Sequence, residues 1–315
     1  MKKNIRYSSL FSLILTCVFT NLTIDAMAQG TNDLCSLIGN CKTIKVKPSK
    51  ADPRVNNWDS VHIVSYNPVI KNNKVLLWLT GTNGSTDHIP IGFLKTAFEQ
   101  GYRIISVSFM SKPGVSQLCI GNRLTEDVDC AAEFRRKRTY GDNKFLGIPD
   151  QQQDAIIPRL VKLLQYLTIK DPEGDWQQYL DQKREKPVWS KIAIAGQSQG
   201  GGMAEYIAQH EWVYRVISFS GGWDYSDSKN KKIAGWYSQK FVTPPANLFA
   251  TYHLKENAAA VLAEICTTMH IPSEHIFALD QPVFKQRNID NPFHVEGIQN
   301  PVYKPIWLEM LGSGL

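Results

Sequence analysis

The stretch Lys191-Ile192-Ala193-Ile194-Ala195-Gly196-Gln197-Ser198-Gln199-Gly200-Gly201-Gly202-Met203-Ala204 decides the fold. Its first half is a run of β-branched and small apolar residues, the pattern of a strand buried on both faces. Its second half is rich in small residues and opens a segment with helical periodicity, Gln199 to His210. Between them lies Gly196-Gln197-Ser198-Gln199-Gly200, a GxSxG turn. Such a short pattern is common by chance, so the strand before it and the helix after it carry the inference. A turn this tight pushes Ser198 into a strained backbone conformation and holds its hydroxyl above the sheet edge. Glycine is needed at 196 and 200 because a Cβ at either place would crowd a neighbouring strand or helix. The helix after Ser198 points its first N–H groups at the position where negative charge develops when a serine attacks a carbonyl. Ser198 is the candidate nucleophile.

Outward from this turn, the same alternation recurs. Val61–Ser65, Val75–Leu79, Arg103–Phe109, Lys191–Ala195, Val216–Ser220, Leu248–Tyr252 and His275–Leu279 read as strands. Ile91–Gln100, Ile156–Leu167, Gln199–His210 and Ala258–Met269 have helical periodicity. Strands alternating with helices imply right-handed crossovers and an α/β, doubly wound, mainly parallel sheet with helices on both faces. Nothing from Val61 onward reads as a linker, so residues 29–315 are expected to form a single domain, with 29–58 as a loop-like N-terminal extension. Residues 110–148, rich in Gly, charge and turn residues, break the rhythm and read as a covering loop, lid or insertion. Gly221–Ala246 is a second irregular stretch, whose Trp223, Trp236 and Tyr237 could wall a substrate pocket or pack beneath the loop.

On the strand, the GxSxG turn and the small-residue helix, the chain resembles the α/β-hydrolase superfamily, and the likeness extends from about Val61 to the C-terminus. The resemblance implies a serine esterase or lipase-like enzyme whose triad follows the order Ser, Asp or Glu, His. His294, in Asn291-Pro292-Phe293-His294-Val295-Glu296-Gly297, lies after the last strand and matches the position of that family's base. Among the seven histidines, His62 and His88 precede Ser198, and His210 ends its helix. His253, His270 and His275 lie on or beside the last two strands and the helix joining them. Glu256 follows the penultimate strand in Tyr252-His253-Leu254-Lys255-Glu256 and resembles the triad acid. Asp224, after the preceding strand, and Asp280, after the last one, are the alternatives. The oxyanion hole implied by the resemblance joins the N–H of Gln199 to that of Thr82, in Leu79-Thr80-Gly81-Thr82-Asn83-Gly84. No metal or organic cofactor is implied.

The chain has 315 residues, 43% hydrophobic and 20% charged, a composition that excludes collagen-like, coiled-coil and wholly disordered classes. Lys2, Lys3 and Arg6, the apolar run Leu10–Thr20 and Ala26-Met27-Ala28 read as a signal peptide over residues 1–28, cut after Ala28. The apolar run is about half of the ~20 residues that span a bilayer, and no integral membrane segment is expected after cleavage. The expected location is periplasmic or extracellular. Cleavage removes three positive charges and Asp25, taking the formal charge from +6 to +4, too mild for nucleic-acid binding. The cluster Arg135-Arg136-Lys137-Arg138 reads as a solvated loop face, or as a surface for an anionic substrate.

Five cysteines remain after that cleavage. Short separations favour the disulfides Cys35–Cys41 and Cys119–Cys130 and leave Cys266 unpaired. No CxxC pair or HExxH helix is present to bind structural or catalytic zinc. The expected function is an exported serine hydrolase that cleaves a small-molecule or lipid acyl ester through an acyl-enzyme on Ser198. An acyltransferase or a peptidase would use the same triad, and a binding protein could keep the fold without the chemistry.

Overall fold

The structure is a computed structural model that describes residues 33–71, 73–226, 232–285 and 290–315. The expected signal peptide and its cleavage site lie outside the described residues. In chain order the elements are β1 (Lys42–Val46), α1 (Pro48–Ala51), β2 (His62–Tyr66), β3 (Val75–Leu79), α2 (Ile91–Glu99) and β4 (Arg103–Ser106). Then come α3 (Val115–Leu118), α4 (Asn122–Glu126), α5 (Cys130–Tyr140), α6 (Ile156–Lys170), a short hairpin of β5 (Leu180–Asp181) and β6 (Lys186–Pro187), β7 (Ile192–Gln197) and α7 (Gln199–His210). The chain ends with β8 (Arg215–Phe219), β9 (Leu248–His253), α8 (Ala259–Thr268), β10 (Ile276–Leu279), α9 (Glu296–Gln299) and α10 (Lys304–Leu311).

Eight strands form one sheet in the order β1-β2-β4-β3-β7-β8-β9-β10. β1 and β2 pair antiparallel, as do β2 and β4, and every later neighbour is parallel. β3 and β7 are buried along their whole length, which suits their near-continuous apolar sequences. Alternate residues divide between two cores. Leu77, Leu79, Ile192 and Ile194 join a cluster with side chains of α5, α6, α7 and α8, while Leu76, Trp78, Ala193 and Ala195 join one with α2 and α10. Each large apolar side chain so buried stabilises the fold by roughly 1.5–3 kcal/mol. The expected doubly wound architecture is thus present, with helices on both faces.

The strand order also places a crevice. The chain leaves β3 toward α2 on one face and leaves adjacent β7 toward α7 on the other. At such a switch point the loops part and open a site at the carboxyl ends of the strands. Thr82 and Ser198 lie on these two loops.

Three parts differ from the sequence reading. The extension 29–58 contains an edge strand, β1, whose Lys42-Thr43-Ile44-Lys45-Val46 sequence is half exposed and charged, as edge strands often are. The strand expected over Arg103–Phe109 ends at Ser106. The segment 110–148 holds three helices, and its longest, α5, packs against α6 and α7.

The basic cluster on α5 is therefore neither a solvated loop nor an anion-binding face. Arg135 and Arg138 have fully buried side chains. Arg135 pairs with Asp224, and Arg138 Nε lies 2.6 Å from Asp150 Oδ1. Lys137 is also buried, and Arg136 alone of the four is exposed, paired with Asp142. Ala131, Phe134, Arg135 and Arg138 follow the i, i+3, i+4, i+7 spacing of a buried helix face. Because two of those positions are arginines, hydrophobic periodicity does not reveal the face.

Candidate active site

Ser198 stands between β7 and α7 at φ 56° and ψ −120°, a region that non-glycine residues enter only when the surroundings force them. The forcing groups are visible. The Ser198 N–H donates to Phe219 O at 2.8 Å, and its carbonyl accepts from Gly202 N–H at 3.1 Å. A Cβ on Gly196 would lie 2.3 Å from the Gly200 carbonyl, and one on Gly200 would lie 2.2 Å from the Leu79 carbonyl oxygen. Both glycines are therefore required by backbone contacts, which cannot move aside as a flexible side chain can. Ser198 itself is half-buried.

His294 lies in a single 3-10 turn, Pro292–Val295, after β10. Its Nδ1 is 2.8 Å from Glu256 Oε2. Donation from Nδ1 leaves Nε2 as the acceptor, the tautomer a general base needs. Glu256 follows β9 and its side chain is fully buried. Its other oxygen accepts from Ser220 Oγ at 2.5 Å and from the His253 N–H at 2.9 Å. Three donors thus hold the carboxylate in one orientation. Trp223 meets the His294 ring edge-on, with centroids 5.0 Å apart and planes at 82°. Gln197, the chain neighbour of Ser198, donates its side-chain amide to the His294 carbonyl at 3.2 Å and ties the two loops together.

The two alternative carboxylates are engaged elsewhere. Asp224 accepts from Arg135 Nε and Nη2, each at 2.6 Å, and from Trp236 Nε1 at 2.8 Å. Asp280 is exposed and accepts from the Gln281 amide at 2.7 Å. His253 is buried, with Nε2 donating to Gln281 O at 2.7 Å and Nδ1 accepting from Lys255 N–H at 3.0 Å. Trp236 and Tyr237 are buried with ring centroids 3.9 Å apart, Trp236 against Asp224, whereas Trp223 lies against His294.

Thr82 follows β3 in a turn closed by Gly84 N–H to Gly81 O at 2.9 Å. A Cβ on Gly81 would lie 3.2 Å from Ser198 Cβ, so this loop runs directly against the Ser198 turn. Gln199 is buried at the start of α7, where the unpaired N–H groups and the helix dipole favour negative charge. Beside these loops is a cavity of about 340 Å³ whose walls include Trp78, Thr82, Ile89, Gln197, Val295 and Ile298. Among the described residues no Asp, Glu, Lys or Arg lines it, and His88 does. A larger cavity, about 600 Å³, lies at α1 and α6 beside Asp52 and Lys162 and contains none of the residues above. Among the described residues no cluster of three or more His, Cys, Asp or Glu could hold a metal ion.

Sequence reasoning missed Ser220, Gln197 and Arg135 as contributors to this arrangement. The one available signal for Ser220 was its place in Phe219-Ser220-Gly221-Gly222, a polar residue before two glycines at a strand end. Its φ of 46° marks it as a second forced turn residue.

The sheet order and the serine at a positive-φ turn between a central parallel strand and a helix give the chain the α/β-hydrolase fold. No protein-family model and no curated protein matches the sequence. Solved structures similar to it include a dienelactone hydrolase from Anabaena variabilis, at 12% identity and a TM-score of 0.43, covering 86% of this chain and 98% of that one. Esterase B from Lactobacillus rhamnosis is similar at 12% identity and a TM-score of 0.47, covering 87% and 83%. An esterase of the bacterial hormone-sensitive lipase family is similar at 13% identity and a TM-score of 0.44, covering 87% and 86%.

Proposed function

We propose that the protein is a serine hydrolase that cleaves carboxylic esters by acyl transfer. The observation that carries this reading is the 2.8 Å contact between His294 Nδ1 and the buried Glu256 carboxylate, in a chain whose Ser198 occupies a strained strand-to-helix turn. Ser198 Oγ attacks the ester carbonyl while His294 Nε2 takes its proton. Glu256 orients the imidazole and stabilises the imidazolium that forms. The tetrahedral oxyanion is held by the N–H groups of Gln199 and Thr82. His294 then returns the proton to the leaving alcohol, and water releases the acyl group by the same steps in reverse order.

The 340 Å³ cavity, lined by apolar and polar side chains with His88 as its titratable group, suits a neutral acyl or alcohol group. Export is supported by the Cys35–Cys41 and Cys119–Cys130 pairs, because disulfides persist in oxidising compartments. No helix among the described residues is long and apolar enough to cross a membrane. The test is covalent labelling by a fluorophosphonate together with hydrolysis of p-nitrophenyl acetate, butyrate and octanoate. Labelling at Ser198 and turnover that both vanish in Ser198→Ala support the reading. Turnover that survives in Ser198→Ala refutes it.

A further inference from the structure

The segment 110–148 holds Gln199 from two directions. The Gln199 Nε2 donates to Ser111 O at 2.7 Å and its Oε1 accepts from Val115 N–H at 3.0 Å, so the turn over 111–115 secures both ends of the side-chain amide. From α5, Arg135 Nη1 reaches the Gln199 carbonyl at 3.4 Å. The guanidinium lies so near the first turn of α7 that a Cβ on Gly202 would be 2.3 Å from Nη2. Arg135 is itself immobilised by its two contacts with Asp224 and by Trp236, whose ring centroid is 5.5 Å from the guanidinium carbon. The two holds are joined covalently, because Cys119 directly follows α3, Cys130 begins α5, and the two form a disulfide.

We infer that Arg135 is a positioning residue for the oxyanion donor, acting through Gln199 and stapled to the 111–115 turn by Cys119–Cys130. With side chain and carbonyl both held, the Cα of Gln199 cannot rotate freely, and the direction of its N–H is set before substrate arrives. Preset donors are worth more than donors that must reorganise during the reaction. The segment is on this view part of the catalytic apparatus as well as its cover. The inference rests on the serine-hydrolase reading above.

The experiment compares full-length wild type with Arg135→Met/Asp224→Asn, Arg135→Lys and Cys119→Ser/Cys130→Ser in hydrolysis of p-nitrophenyl acetate. The first variant removes both charges of the Arg135–Asp224 pair, so Asp224 is not left inside as an uncompensated carboxylate. Arg135→Lys keeps the charge and loses the planar fork. The expected result is a fall in kcat of about 10- to 100-fold in the double-charge and cysteine variants, less than the ~10²–10³ of deleting an oxyanion donor outright. KM stays within about twofold, the pH midpoint of kcat/KM is unmoved, and Arg135→Lys falls between wild type and Arg135→Met/Asp224→Asn. A folded variant with wild-type kcat overturns the inference. So does a loss in which KM and the pH midpoint shift together with kcat, since that marks general loosening. Should the double-charge variant not fold, the cysteine variant decides by the same criteria. Wild type that is neither labelled at Ser198 nor active removes the hydrolase reading and the positioning role with it. Labelled, active wild type with unchanged variants removes the positioning role alone.

Discussion

Glu256 Oε2 sits 2.8 Å from His294 Nδ1, across 38 positions of sequence, while its Oε1 is held by Ser220 and the His253 backbone. The carboxylate thereby links the ends of β8 and β9 to the loop after β10. Glu256→Gln places an amide where an acceptor is needed and disturbs the imidazole tautomer. A kcat loss of about 10³- to 10⁴-fold on a p-nitrophenyl ester, with the thermal midpoint nearly unchanged, is expected.

Asp224→Asn shows itself first in stability. It leaves the Arg135 guanidinium buried without its countercharge, a change that costs about 3–5 kcal/mol. Urea unfolding should detect that loss. A variant with wild-type stability and no activity would instead make Asp224 the functional acid.

Gly200→Ala tests the turn. The added Cβ meets the Leu79 and Thr80 carbonyls at 2.2 and 2.6 Å, and backbone of a central strand cannot give way. Loss of soluble protein, or destabilisation of about 3 kcal/mol or more, is expected. Gly235→Ala, where no atom lies within 4 Å of the new Cβ, is the matched control and should unfold like wild type.

Two buried groups outside the site give stability opposite pH dependences. His62 accepts the Ser108 N–H at 2.9 Å, and burial, reinforced by the Arg159 charge, pushes its imidazole down to about 3 from an ordinary 6.5. The unfolded chain takes that proton first, so this contribution is lost as pH falls from 6.5 toward 3. Burial pushes the Glu205 carboxyl up to about 7 from 4.5, so the unfolded chain releases its proton first and stability is lost as pH rises from 4.5 to 7. Each slope is about 1.4 kcal/mol per pH unit, and they oppose each other between 4.5 and 6.5. The stability of Glu205→Gln relative to wild type should therefore rise steadily from pH 5 to 7 in urea titrations. Parallel profiles would count against the buried carboxyl.

Cys266 is buried and unpaired, and burial pushes its thiol well above the usual range. Native protein should resist iodoacetamide at this residue and react once unfolded in urea, as mass spectrometry of the modified peptide can establish.

The local parts of the design are written in local sequence. The helix expected over Gln199–His210 has those bounds, β7 begins one residue later than expected, and both short-range cysteine pairs are joined. The edge strand β1 escaped notice because its lysines interrupt the apolar pattern, and α5 because arginines occupy its inward face. In both cases the periodicity is present but the chemistry of the residues hides it.

The sequence by itself determined a parallel α/β sheet, a serine on a tight turn, and a short set of histidines and carboxylates in chain order. Only the tertiary structure decided which carboxylate meets His294 and why Asp224 does not, since Asp224 is bound by an arginine 89 positions away. Chain order constrains which loops share one end of a sheet. The partners chosen there depend on buried charges that must each be compensated, and that compensation is a property of the packed interior.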